Sequence, residues 1–371
     1  MLKRMFYVTL RAYVKLAMRI FYKRWQIVHY NKAEETGSIL FSANHQNAFM
    51  DPWVILQSQP KIPVFLTQAA VFKSSSLARW FFDLLYMLPI YRQRDGVNTL
   101  EKNEEIFIKC QDYLLDGRHP IGIFTEGTHS LRRTIRPLKK GICRLAFETL
   151  ERNPDLDVKI IPVGLNYNDH IAFQTEVLIV FGEPIPIKPY FKHYLENKAV
   201  GYRMLLDDLK PKMGELIIDI PNDENYEKVH AQWLKSRRLS KDLYRDLREN
   251  QALVDRIENG EPDDAEQLNK EKAVHDKKNK SLLRIVLFPI WIYGLINNLL
   301  AVWFTRSLLK KMVKDHHFAS SIKFALGAFL VPIIYLLQAL LLYVFIGNFD
   351  LSLVYFFTLP FFSWIFFRWL R

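Results

Sequence analysis

Cysteine is scarce: Cys110 and Cys143 are the only two in 371 residues, and they form no spacing motif. A disulfide framework or a cysteine zinc site is therefore disfavoured, and a reducing compartment fits. No complete Walker or dinucleotide glycine pattern occurs, which argues against nucleotide hydrolysis. No internal repeat is visible. Acids are absent from the first 25 residues, which hold seven Lys or Arg. Those charges break the uninterrupted apolar stretch that a signal peptide needs.

What is present is hydrophobic and basic. Half the residues are apolar, Phe alone numbers 27, and the formal net charge is +12. Such a balance suits an anionic partner: nucleic acid, an anionic membrane surface or a phosphorylated substrate. No nucleic-acid-binding motif or aromatic–basic platform appears, so nucleic acid is not expected as a partner. In residues 1–30, Arg11, Lys15, Arg19 and Lys23 recur every fourth position, while Phe6, Leu10, Val14, Ala17 and Phe21 line another side. This spacing predicts a basic amphipathic helix on a membrane surface. The alternative is a helix packed on the domain core.

Residues 31–190 alternate short apolar runs with helical patterns. SILFSA (38–43), IPVFLT (62–67), LPIY (88–91), PIGIF (120–124), KIIPVGLNY (159–167) and EVLIVFG (176–182) read as strands. The class expected is α/β with a largely parallel sheet. Residues 191–280 are charged and mostly helical in pattern, ending in the polar stretch 261–280. Residues 281–371 carry apolar segments at 285–304, 324–346 and 351–367. The last two read as a transmembrane hairpin. Lys323, Arg368 and Arg371 at its outer ends put those ends on the cytoplasmic face, which residues 1–280 share if the first segment is re-entrant. The first segment holds Pro289, Gly294, Asn297 and Asn298 and is basic on both flanks, so a re-entrant or interfacial segment is preferred to a span. The short basic start suits a bacterial inner membrane, with an endoplasmic reticulum membrane as the alternative.

Four stretches carry candidate chemistry. In FSANHQNAFMDP (41–52), His45 and Asp51 lie six residues apart. On one continuous helix that is about 240° of rotation, so the side chains would diverge. They meet only if His45 sits on the loop leaving the strand and Asp51 at the first helical turns. A carboxylate on one imidazole nitrogen then prepares the other to take a proton. The alternative is a helix cap made by Asn44 and His45. In IGIFTEGTHSLRRTIRPLKKG (121–141), Glu126, Gly127 and Thr128 follow a strand and precede Arg132, Arg133 and Arg136. Backbone amides after a strand and arginine forks suit an anion; a solvated basic turn is the alternative. LPIYRQRDG (88–96) places Arg92 after another strand. IIPVGLNY (160–167) reads equally as a pocket wall or a buried strand.

In this order and spacing the four stretches resemble the glycerolipid acyltransferase family, which includes lysophosphatidic acid and glycerol-3-phosphate acyltransferases. The resemblance rests on Asn44, His45 and Asp51; on Ile90 and Arg92; on Phe124, Glu126, Gly127 and Thr128; and on Pro162, and it spans residues 35–190. Three positions depart from the family pattern. Five residues rather than four separate His45 from Asp51, as in some glycerol-3-phosphate acyltransferases. Thr125 replaces a usual Pro, and His129 a common Arg, for which Arg132 or Arg133 would substitute.

The resemblance implies O-acyl transfer from an acyl-CoA or acyl carrier protein thioester, as co-substrate, to a lysophospholipid or glycerol-phosphate acceptor, with lysophosphatidate first among them. It assigns His45 as general base and Asp51 as its support. Arg92, Gly127, Thr128, Arg132 and Arg133 hold the acceptor phosphate, and Glu126 orders that loop. No metal or cofactor is called for, and the lipid bilayer is the expected surroundings. A membrane-anchored binding protein of the same fold is the non-enzymatic rival.

Overall fold

Ile39, Phe41 and Ala43 point to one side of their strand and Leu40 to the other, and all four are buried. That alternation follows from the two-residue period of a strand, and it means both faces of the sheet are covered. The computed structural model describes residues 2–33, 36–72, 76–92, 98–261, 288–313 and 315–369. The strands are β1 (Tyr22–Val28), β2 (Ser38–Ala43), β3 (Val64–Gln68), β4 (Met87–Ile90), β5 (Ile121–Phe124), β6 (Val158–Tyr167), β7 (Thr175–Phe181) and β8 (Ile185–Pro186). They form one sheet in the order β1-β7-β6-β2-β5-β3-β4, with β8 beside β6. Strands β4, β3, β5, β2 and β6 run parallel, so their carboxyl ends share one edge. β7 is antiparallel to β6, making the sheet mixed but mostly parallel.

Helices Thr99–Asp116, Gly141–Arg152, Lys188–Glu196 and Lys198–Gly214 cover one face, where Leu40, Ile121 and Ile160 meet Cys110, Leu145 and Leu205. Helices Leu2–Phe21 and Met50–Gln57 cover the other. Each fully buried large apolar side chain in these layers is worth about 1.5–3 kcal/mol. A third cluster seats Tyr226–Ser236 and Leu243–Glu258 against Leu178, Val180 and Ile220. Residues 262–280 of the polar stretch lie outside the described residues.

The N-terminal helix is seated on the domain. Tyr7, Val14, Met18 and Phe21 form its buried stripe, while Phe6, Val8 and Leu16 stay exposed. Arg11, one of the fourth-residue cations, turns inward. Its Nη2 donates to Leu56 O at 2.8 Å and its Nη1 to Lys61 O at 3.2 Å, capping the helix that carries Asp51. Tyr22–Val28, expected within the N-terminal helical segment, is instead an edge strand. It pairs with β7, Arg24 Nε donating to Glu176 Oε1 at 2.8 Å.

Among the described residues, three helices are long and apolar enough to cross a membrane: Phe288–Met312, His316–Ile346 and Phe349–Phe367. The first is one unbroken helix over 25 residues, whose length fits the spanning alternative for 285–304, and residues 285–287 of that segment lie outside the described residues. Its polar residues find partners among its neighbours. Asn298 Nδ2 donates to Ser363 Oγ at 2.7 Å, and Asn297 Oδ1 accepts from the Tyr355 hydroxyl. At Gly294 a Cβ would come within 2.9 Å of Phe366, so the glycine permits close helix contact. The second helix docks on the α/β domain. Pro332 has no N–H for the Ala328 carbonyl, and the Tyr13 hydroxyl donates to that oxygen instead. Phe324 packs edge-on against Phe21.

Candidate active site

Parallel strands present their carboxyl ends to ligands, and the loop leaving β2 at that edge carries His45. Asn44, fully buried, fixes the loop's start: its Nδ2 donates to Leu165 O at 3.0 Å, and its Oδ1 accepts from Leu165 N at 2.7 Å. Ala48 adopts φ +38°, a left-handed turn that folds the chain back before Met50–Gln57 begins. Asp51 thus enters beneath the loop from the first helical turn.

Asp51 is 0% exposed and has four donors. Its Oδ2 accepts from His45 Nδ1 at 2.7 Å, Gln46 N at 2.9 Å and Asn47 N at 2.8 Å. Its Oδ1 accepts from the Tyr167 hydroxyl at 2.6 Å. A buried carboxylate with this many partners is compensated, and it directs the proton of His45 to Nδ1. Nε2 is left as the nitrogen able to take a proton. Phe124 stacks on the imidazole at 4.1 Å between centroids, 16° from parallel, which fixes the ring plane. Burial, then the charge of Asp51, push the Tyr167 hydroxyl well above its ordinary value, keeping it a donor.

The loop after β5 is laced to the His45 loop. His45 N donates to Glu126 Oε2 at 3.0 Å, and Ser130 N donates to His45 O at 3.0 Å. Glu126 also accepts from Arg136, from its N at 3.0 Å and its Nη2 at 2.9 Å. Gly127 has φ +78°, where a Cβ would be strained and would press on Lys139. Thr128 is exposed, and its Oγ1 accepts from Arg136 Nη1 at 2.7 Å. Thr125, buried, bonds the Ser42 hydroxyl.

The structure brings His45, Asp51, Glu126, Gly127 and Thr128 to one mouth, but not every expected cation. Arg132 reaches Asn222 Oδ1 at 2.6 Å and Glu227 Oε1 at 3.0 Å. Arg133 is buried, donates to Tyr167 O at 2.6 Å and lies 4.9 Å over the Trp233 ring. Its pKa is lowered to about 10, chiefly by burial. Both were expected at the acceptor phosphate. Residues 130–135 instead pass under the helical region, Ile220 N donating to Arg133 O at 2.8 Å, and carry both side chains there. Arg92 follows β4, three strands from β2, or about 14 Å at the usual strand spacing. It meets the Gln68 amide.

Arg136 is the guanidinium on Thr128 and Glu126. Its charge was visible in the sequence, but not which of three arginines the loop would present. Tyr167 had no local signal, since it stands 116 residues from Asp51. The C-terminal region also reaches the mouth. Phe318 packs against Phe49, and His317 against His129, whose ring lies 5.5 Å from that of His45. Burial, then His45 and His317, push His129 down to about 4.

A buried carboxylate orients an imidazole beside a glycine-turned loop at the carboxyl edge of a parallel sheet, an arrangement chemically able to accept a proton at His45 Nε2. Residues 24–166 match the family model described as Acyltransferase. Glycerol-3-phosphate O-acyltransferase 1 of Saccharomyces cerevisiae is 40% identical over 101 residues, 26% of this chain and 13% of that protein. Glycerol-3-phosphate O-acyltransferase 2 of the same yeast is 31% identical over 130 residues, 35% of this chain and 17% of that one. The chain spans less than a fifth of these relatives' length. Among solved structures, the 1-acyl-sn-glycerophosphate (LPA) acyltransferase PlsC of Thermotoga maritima aligns at 19% identity and TM-score 0.41, covering 58% of this chain and 80% of that one.

Proposed function

We propose that this chain transfers an acyl group from a thioester, acyl-CoA or acyl carrier protein, to a hydroxyl of a glycerol-phosphate acceptor at a membrane. The observation that carries this reading is the His45 Nδ1–Asp51 Oδ2 contact of 2.7 Å at the mouth shared with Gly127 and Thr128. His45 Nε2 takes the proton as the acceptor hydroxyl attacks the thioester carbonyl. Asp51 stabilises the imidazolium. The new ester C–O bond forms, the C–S bond breaks, and the thiolate leaves with the proton returned from His45. The acceptor is the nucleophile, so no acyl-enzyme is formed. Gly127, Thr128 and Arg136 hold the phosphate, and Glu126 keeps their loop in register with His45.

Glycerol 3-phosphate is the acceptor favoured by the names of the two yeast relatives and by the five-residue gap between His45 and Asp51. Lysophosphatidate is the second reading, favoured by the apolar rim of Phe49, Phe82 and Phe318 beside the mouth. The yeast relatives also favour a eukaryotic membrane over a bacterial inner membrane. The basic outer ends of the C-terminal hairpin support a cytoplasmic catalytic domain. The test is thiol release from an acyl-CoA by detergent-solubilised protein with each acceptor in turn. Release that depends on either acceptor supports acyl transfer and selects between them; release with neither, from acyl-CoA or acyl carrier protein, contradicts it.

A further inference from the structure

Apart from the His45–Asp51 couple, three chemistry-bearing side chains converge beside the mouth. His129 comes from the loop after β5, and Asp315 and His317 from the turn opening the helix His316–Ile346. One ligand atom of each lies within 4.8 Å of the other two. The His129 and His317 rings are 4.8 Å apart between centroids, and His317 Nδ1 is 2.6 Å from Asp315 Oδ1.

A capping role explains part of this. Asp315 Oδ1 accepts from His317 N at 2.9 Å, as a residue opening a helical turn often does. Capping does not account for a second imidazole brought from a distant segment to face His317. We propose that His129, Asp315 and His317 bind one divalent first-row transition metal, with water completing its shell. Two imidazoles and a carboxylate suit zinc or cobalt, whereas magnesium and calcium take oxygen donors. Tetrahedral bonds of about 2.0–2.1 Å set donor atoms roughly 3.3 Å apart. Side-chain rotation closes the remaining distance, since Asp315 and His317 lie at the accessible rim. The ion fastens the loop bearing Gly127 and Thr128 to the first turn of a membrane-length helix, so its occupancy sets how firmly that helix lies across the mouth. It is a clamp and takes no part in acyl transfer.

The test uses the untagged full chain in detergent, stripped with a chelator and titrated with cobalt(II), followed by visible absorption and calorimetry. One equivalent is expected to bind with a ligand-field band. His129→Ala and His317→Ala are each expected to weaken binding at least about tenfold. Asp315→Asn, which preserves shape, is expected to weaken it too, and His193→Ala, on a distant helix, to leave it unchanged. Absence of a tight equivalent, or affinity unchanged in all three site variants, overturns the proposal.

Discussion

Asp51→Asn separates the charge of the buried carboxylate from its shape. The asparagine oxygen can keep the place of Oδ2, facing His45 Nδ1 and the Gln46 and Asn47 amides. Its amino group then faces the Tyr167 hydroxyl, which accepts as well as donates. The loop should therefore hold, with stability falling by about 1–3 kcal/mol as charge-assisted bonds become neutral ones. What disappears is the counter-charge to the imidazolium. The Nδ1–Oδ2 contact of 2.7 Å puts the charge centres about 4 Å apart. At an effective dielectric near ~20 such a pair interacts by about 4 kcal/mol. If the imidazole charge is fully developed in the transition state, the rate falls about 10³-fold. The assay is the initial rate of thiol release from acyl-CoA with saturating acceptor, beside a thermal melt of each protein. A variant within tenfold of the parent rate, or a rate loss explained by unfolding alone, would refute the reasoning.

Three other expectations test the surroundings of this couple. Arg136→Ala should raise the KM for the phosphate acceptor more than it lowers kcat, whereas Arg133→Ala should lower the melting temperature and leave the KM of the folded fraction unchanged. Ala48→Gly should be neutral or stabilising by up to about 1 kcal/mol because the backbone there has φ +38°, and Ala48→Val should destabilise. His170 is held well below its usual 6.5, first by burial and then by Arg133 and His230. The unfolded chain therefore binds a proton that the folded one refuses, so stability is full above about pH 6.5 and declines as pH drops below it. His129 acts in the same direction. Melts from pH 7.5 to 5 should show the decline, and His170→Gln, which can keep the bond to Gln46, should make it shallower; an equal slope in the variant contradicts this.

The sheet interior was legible because its strands are continuous apolar runs, and SILFSA coincides with β2 from Ser38 to Ala43. β1 was not, because YKRWQIV continues the four-residue spacing of cations from the preceding helix. Its partner strand explains Arg24, which lies opposite Glu176 on β7. The bend that lets His45 meet Asp51 could be argued from helical rotation alone. The choice of Arg136 over Arg133 could not, since it depends on how residues 130–135 pass beneath Ile220. The same holds for Asn297 and Asn298, which read as obstacles to a span until the Tyr355 hydroxyl and Ser363 are seen bonded to their side chains.

The most direct test of the central claim is product analysis by mass spectrometry for the parent chain and a folded His45→Ala variant. Each is given an acyl-CoA with glycerol 3-phosphate or lysophosphatidate. The account predicts acceptor ester and free thiol from the parent chain, and loss of both from a variant whose melt is intact. Ester formed at a comparable rate without His45 would contradict it.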